Sequence, residues 1–242
     1  MRNLRTAFGL LTTLPVGMPR NWQPGDSGRA GIWYPLVGMV IGGLVWLAWR
    51  VSMLYFPPFI AGVLTLSVWI FLTGGLHLDG LADCFDGLFV AGTRERRLEI
   101  MQDPHLGTFG AVGLFLVLFI KAAVLSSLTL SSGMGIILAA TVSRWLILPA
   151  GLLPLAHPGG MGADFVQGLK RSVVFITAVL PLGIALFAGA QGLSALLAAL
   201  LAGVLVLGLA YRRIGGVSGD VFGALVEATE TMVLLCFTLG AK

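Results

Sequence analysis

Charge is what this sequence has least of. Only 15 Lys and Arg and 11 Asp and Glu occur in 242 residues, 11% of the chain, where an average soluble domain carries about 25%. With 57% hydrophobic residues and a mean hydropathy of +0.95, this excludes an ordinary soluble domain. Cysteine is nearly absent, and Cys84 and Cys236 lie in apolar sequence, which excludes a disulfide framework and makes Cys84 a small packing residue. Linkers and low-complexity tracts are missing, so residues 1–242 read as one integral membrane catalytic domain. The basic residues are spread over short segments, so the net charge of +4 reflects membrane topology and not nucleic-acid binding.

Apolar runs near the twenty residues needed to cross about 30 Å of hydrocarbon recur along the chain. The fold class is therefore all-α, a polytopic transmembrane bundle of about seven spans. Crossings are expected at Gly31–Tyr55, from Phe59 through Thr73 toward an acidic stretch, at Gly107–Leu130 and Met134–Ala156, at Val173–Gly189 and Leu193–Tyr211 turned by Gln191 and Gly192, and at Val221–Leu239. The N-terminal segment, with Arg2 and Arg5 before AFGLLTTL, lacks a small-x-small cleavage pattern and is expected to be a retained interfacial or re-entrant piece. Gly74 and Gly75 read equally as a kink or as small residues for close helix packing. Counting bases orients the chain. Arg2, Arg5, Arg20, Arg29, Arg94, Arg96, Arg97, Lys170, Arg171, Arg212 and Arg213 fall on the N-terminal side, and Arg50 and Lys242 on the other. This places the N-terminus and the acidic segments on the cytoplasmic face of an inner membrane.

Six of the eleven acids form two clusters. In GGLHLDGLADCFDGLFVAG, Asp79, Asp83 and Asp86 stand four and three residues apart, one stripe of a helix. Two unit charges about 6 Å apart at an effective dielectric of about 20 repel by roughly 3 kcal/mol, so a cation is expected among them. In GGVSGDVFGALVEATE, Asp220, Glu227 and Glu230 open the last helix, and Gly223 leaves room for a neighbouring backbone or a ligand. Read alone, each of these acids also suits a helix start or an Arg partner. Carboxylates without clustered His or Cys point to a hard cation, Mg²⁺, with Asp79, Asp83, Asp86, Asp220 and Glu227 as ligands. Such an ion suits phosphoryl transfer.

Lys121 and Arg144 reach similar depth on either side of the turn at Ser131, Ser132 and Gly133. With His105 of QDPHLGTFG they are candidates for binding substrate phosphate or nucleotide. The alternatives are that Lys121 neutralises a buried acid, that Arg144 snorkels, and that Arg94, Arg96 and Arg97 only signal topology. His77 reads as a metal ligand, a general base, a hydrogen-bonding partner or a plain packing residue. Asp83 and His77 are the candidate catalytic groups. His157, between Ala156 and Pro158, reads as interfacial. The charge pattern alone also admits a membrane prenyltransferase, a CDP-alcohol phosphotransferase, or an ion-coupled transporter using Asp79, Asp83, Lys121 and Arg144.

GGLHLDGLADCFDGLF, MQDPHLGTFG, the SRW of Ser143 to Trp145, and GGVSGDVFGALVEATE resemble, in order and spacing, the cobalamin synthase family of adenosylcobinamide-GDP ribazoletransferases, over essentially the whole chain. The resemblance implies a membrane enzyme of the last assembly steps of vitamin B12. It would join adenosylcobinamide-GDP to alpha-ribazole or its 5'-phosphate with Mg²⁺, the ribazole 3'-hydroxyl attacking the corrinoid-linked phosphorus and GMP leaving. LLTTLPVG departs from the family pattern, which often has a basic residue at the position of Thr13, and this puts a phosphate role for that segment in doubt. The sequence leaves a homo-oligomer open.

Overall fold

The computed structural model describes residues 1–17 and 21–239. Arg20 and Lys242, both used in the topology count, lie outside the described residues. The described residues are mostly helical, with no strand among them. α1 spans Arg2–Leu11 and α2 Asp26–Ala30; a 3₁₀ turn, Gly31–Trp33, leads into α3, Tyr34–Tyr55. Then come α4 (Pro58–Thr73), α5 (Leu76–Phe89), α6 (Arg94–Met101), α7 (Thr108–Ser127), α8 (Met134–Ala150), α9 (Gly160–Gly168), α10 (Arg171–Thr177), α11 (Val179–Phe187), α12 (Gly189–Ile214) and α13 (Gly219–Cys236).

This is an all-α membrane bundle. Among the described residues, three helical stretches are long and apolar enough to cross a bilayer: Asp26–Tyr55, Thr108–Ser127 and Gly189–Ile214. The number rises to five if each of two bent pairs counts as one crossing: α4 with α5, bent by 94°, and α9 with α10 and α11, bent by 84°. Each of the seven expected segments is mainly helical, although α7 stops at Ser127 and α8 at Ala150, short of the expected Leu130 and Ala156, and the difference in span count has physical causes. α8 has 17 residues and ends before Pro154, while the 18-residue α13 carries three acids of its own. Both are wrapped by other helices, α8 by α3, α12 and α13, and α13 by α5, α7, α8 and α12. Gln191 and Gly192 lie inside α12; the turn falls earlier, at Gly189, whose φ is +69°.

Small residues set the closest crossings. Gly38 and Gly42 of α3 form a G-x-x-x-G face against α8, where a Cβ at Gly38 would lie 2.3 Å from the Ala140 carbonyl oxygen. The large apolar side chains at the rim, such as Phe109, Phe115 and Phe119 of α7 and Leu197, Leu201 and Leu205 of α12, are exposed, as helices facing hydrocarbon require.

The break at Gly74 and Gly75 positions the first acidic cluster. Both glycines take left-handed φ angles, +65° and +69°, which disfavour any residue with a Cβ. α4 therefore ends there, and α5 departs at 94°. Arg97 of α6 is buried and donates to the Leu88 carbonyl at 2.9 Å and the Gly87 carbonyl at 3.3 Å, satisfying the C-terminal carbonyls of α5.

Candidate active site

Two backbones meet at the site. A Cβ at Gly80 of α5 would stand 2.8 Å from both the Cα and the carbonyl oxygen of Asp220, and one at Gly223 of α13 would stand 2.9 Å from the His77 carbonyl oxygen. Only glycine on both helices permits this approach. Asp79 and Asp220, 141 positions apart in sequence, thereby line one cavity of about 360 Å³. Asp220 lies in the first turn of α13, which Ser218 caps by accepting from the Val221 N–H at 3.3 Å. Leu10 and Leu11 of α1, Gln102 after α6, and Phe165 of α9 complete the walls. Asp83, half-buried, does not line the cavity.

The remaining acids of the expected metal set are engaged elsewhere. Asp86 accepts the N–H groups of Gly107 at 2.8 Å and Gly110 at 2.9 Å, which closes the N-terminus of α7. Seven residues separate Asp79 from Asp86, and seven separate Asp220 from Glu227, so each pair shares a stripe yet lies about 10 Å apart along its helix. Glu227 belongs to a buried cluster in the middle of the bundle. Lys121 Nζ of α7 is 2.6 Å from Glu227 and 2.5 Å from Glu230 of α13, and Arg144 of α8 pairs with Glu230 and donates to Ser143 Oγ at 3.0 Å. The Trp69 ring lies 5.2 Å from the Lys121 ammonium. Two bases and two acids make a formally neutral tetrad. Lys121 and Arg144, expected to bind phosphate, are held inside it.

His77 lines the cavity at 4% exposure, with Nδ1 sealed from solvent and without a hydrogen-bond partner. His105 stands in an exposed loop away from the cavity, its Nδ1 2.6 Å from Asp103 Oδ1. The backbone N–H of His105, then its ring, hold the Asp103 carboxyl below its ordinary range. His157, expected to be interfacial, lines the cavity instead. A bridge between Leu155 and Val217 brings it there, with the Ala156 N–H donating to the Val217 carbonyl and the Val217 N–H to the Pro154 carbonyl, both at 2.8 Å. The usable signal was the glycine pair two residues on: Gly159 and Gly160 take φ angles of +102° and +74°, a turn of the kind that carries functional residues.

Fold and site together define a helical membrane protein with a carboxylate-lined cavity built from two distant acidic helices. The model of the cobalamin-5-phosphate synthase family matches residues 3–238. Among curated relatives, a protein of Pseudomonas paraeruginosa strain PA7 is 40% identical over 99% of this chain and 98% of its own length. One of Desulfitobacterium hafniense strain Y51 is 35% identical over 97% and 96%, and one of Acetivibrio thermocellus is 32% identical over 99% and 98%. Each is named adenosylcobinamide-GDP ribazoletransferase. No solved structure gives a significant match. The chain belongs to the cobalamin-5-phosphate synthase family, enzymes of cobalamin synthesis. Membership decides among the transferase and transporter readings that the charge pattern left open.

Proposed function

We propose that this chain joins adenosylcobinamide-GDP to alpha-ribazole, or to its 5'-phosphate, with release of GMP, in the cavity between α5 and α13. The substrates follow from the names of its relatives. The observation that carries the placement is the Gly80–Asp220 crossing, which gives one cavity carboxylates from both acidic segments.

The donor set suits Mg²⁺. Asp79 and Asp220 offer hard oxygen ligands. No group of three or more His, Cys, Asp or Glu forms a ready cage among the described residues, and Mg²⁺ characteristically takes one or two carboxylates and fills its shell with water and substrate phosphate. Bound there, the ion would neutralise charge on the diphosphate and on the departing GMP. Asp79 and Asp220 would hold the ion against the phosphates, and His77, which lines the cavity, takes the proton of the attacking ribazole hydroxyl. A cavity of about 360 Å³ accepts the reacting phosphates but not a whole corrinoid, so the ring system rests outside, against the mouth. The basic helices α1 and α6 border the cavity through Leu10, Leu11, Met101 and Gln102, which supports a site on the cytoplasmic side of the inner membrane.

The test is direct. Purified protein in detergent, given adenosylcobinamide-GDP, alpha-ribazole and Mg²⁺, yields GMP and a cobalamin identified by mass. Absence of that product, or its formation at the same rate after removal of all divalent ions, overturns the reading.

A further inference from the structure

The site as built lacks a cation for the phosphates. Lys121 and Arg144 are at most 2% exposed and ion-paired with Glu227 and Glu230, and among the described residues the cavity wall contains no Lys or Arg. Its nitrogen-bearing ionisable side chains are His77 and His157. His77 is almost wholly enclosed, whereas His157 is half-buried. The one polar contact of its ring among the described residues is a 3.4 Å approach of Nδ1 to the carbonyl of Pro158, long for a hydrogen bond. The ring is therefore available to a ligand.

Its backbone, by contrast, is held firmly. Ala156, the preceding residue, donates to Val217 at 2.8 Å, and its carbonyl accepts from Arg94 Nη2 at 2.6 Å. Val217 immediately precedes Ser218, the cap of α13, so one bridge fixes both His157 and Asp220 at the same mouth. Beyond His157 the chain turns at Gly159 and Gly160 into α9, where a Cβ at Gly162 would be 3.0 Å from the Gly219 nitrogen. This encloses the mouth on its far side.

We infer that His157 is a substrate-contacting residue, its ring N–H donating to a non-bridging oxygen of the corrinoid-linked diphosphate, a role for which Lys121, Arg144 and His105 were the candidates in the sequence. The inference rests on the transfer proposed above. A donor is needed here because Asp79 and Asp220 repel a diphosphate, and a metal ion meets only the oxygens it can reach. A hydrogen bond to a charged partner is worth roughly ten- to hundredfold in affinity.

Steady-state kinetics with His157→Ala and His157→Gln test it, with GDP as a competitive probe of the diphosphate site. His157→Ala should raise KM for adenosylcobinamide-GDP and Ki for GDP roughly ten- to hundredfold, and leave KM for alpha-ribazole within about twofold. His157→Gln, which keeps an N–H donor, should recover part of the loss. Should the alanine variant not fold, the glutamine variant carries the test alone: its KM for adenosylcobinamide-GDP and its Ki for GDP should rise while KM for alpha-ribazole holds. Unchanged affinity for adenosylcobinamide-GDP and GDP in the folded alanine variant, or in the glutamine variant where it stands alone, overturns the inference, and so does an equal rise in both KM values. No product from the wild-type enzyme overturns instead the transfer reading itself.

Discussion

Glu230 is the residue whose loss the bundle should tolerate least. It is fully buried and takes Lys121 at 2.5 Å, Arg144, and Ser143 Oγ at 3.4 Å. Glu230→Gln changes shape little but leaves two buried bases with Glu227 as their only acid. Removing one partner from a buried ion pair costs about 3 to 5 kcal/mol, because the other charge stays desolvated. For a chain of this length each kcal/mol moves Tm by about 2 to 4 °C, so the variant should melt roughly 6 to 20 °C below wild type. Circular dichroism during heating in detergent reads this. The second arm is the charge-balanced double variant Glu230→Gln with Arg144→Met, which leaves Lys121 with Glu227 and no net charge. It should recover at least half of the loss in a double-mutant cycle. A single variant within about 1 kcal/mol of wild type, or a double variant no better than the sum of the singles, would show that Glu230 does not hold the two buried bases.

Other residues give sharper contrasts between structural and catalytic roles. Asp86→Ala removes the acceptor for two N–H groups at the start of α7 and should cost about 1 to 3 kcal/mol in thermal unfolding, while the Mg²⁺ concentration for half-maximal rate stays within about threefold. A large change in Mg²⁺ requirement without loss of stability would return Asp86 to the metal set. Gly80→Ala should force α5 from α13 at Asp220 and lower kcat by at least tenfold. Gly38→Ala, overpacked against Ala140, should lose about 1 to 3 kcal/mol of stability with kcat per folded molecule nearly unchanged. Equal kcat in both glycine variants would contradict the assignment of the α5–α13 crossing to the site.

Helix positions, membrane class and the two acidic stripes were legible because each depends on local pattern: hydropathy runs, glycine and proline boundaries, and the spacing of Asp79, Asp83 and Asp86. Partners across helices were not. Lys121 and Glu230 are separated by 109 positions, and nothing in the local pattern distinguishes a lysine awaiting phosphate from one already neutralised. Helical spacing likewise puts Asp220 and Glu227 on one stripe, but it is silent on the neighbours at each level of that stripe. Gly74 and Gly75 fitted a kink and a packing seam equally, and their left-handed φ angles settle that as a bend. His157 looked interfacial because the bridge that turns it inward joins Leu155 to Val217, 62 positions later.

The most direct measurement of the central claim, that Asp79 and Asp220 serve one reaction centre, is GMP release by Asp79→Asn, Asp220→Asn and the double variant at saturating Mg²⁺. Residues that act as a unit are strongly non-additive. Each single variant should lose at least a hundredfold in rate with wild-type melting, and the double variant should be hardly slower than the worse single. Losses that multiply in the double variant, or wild-type turnover in Asp220→Asn, would contradict that claim.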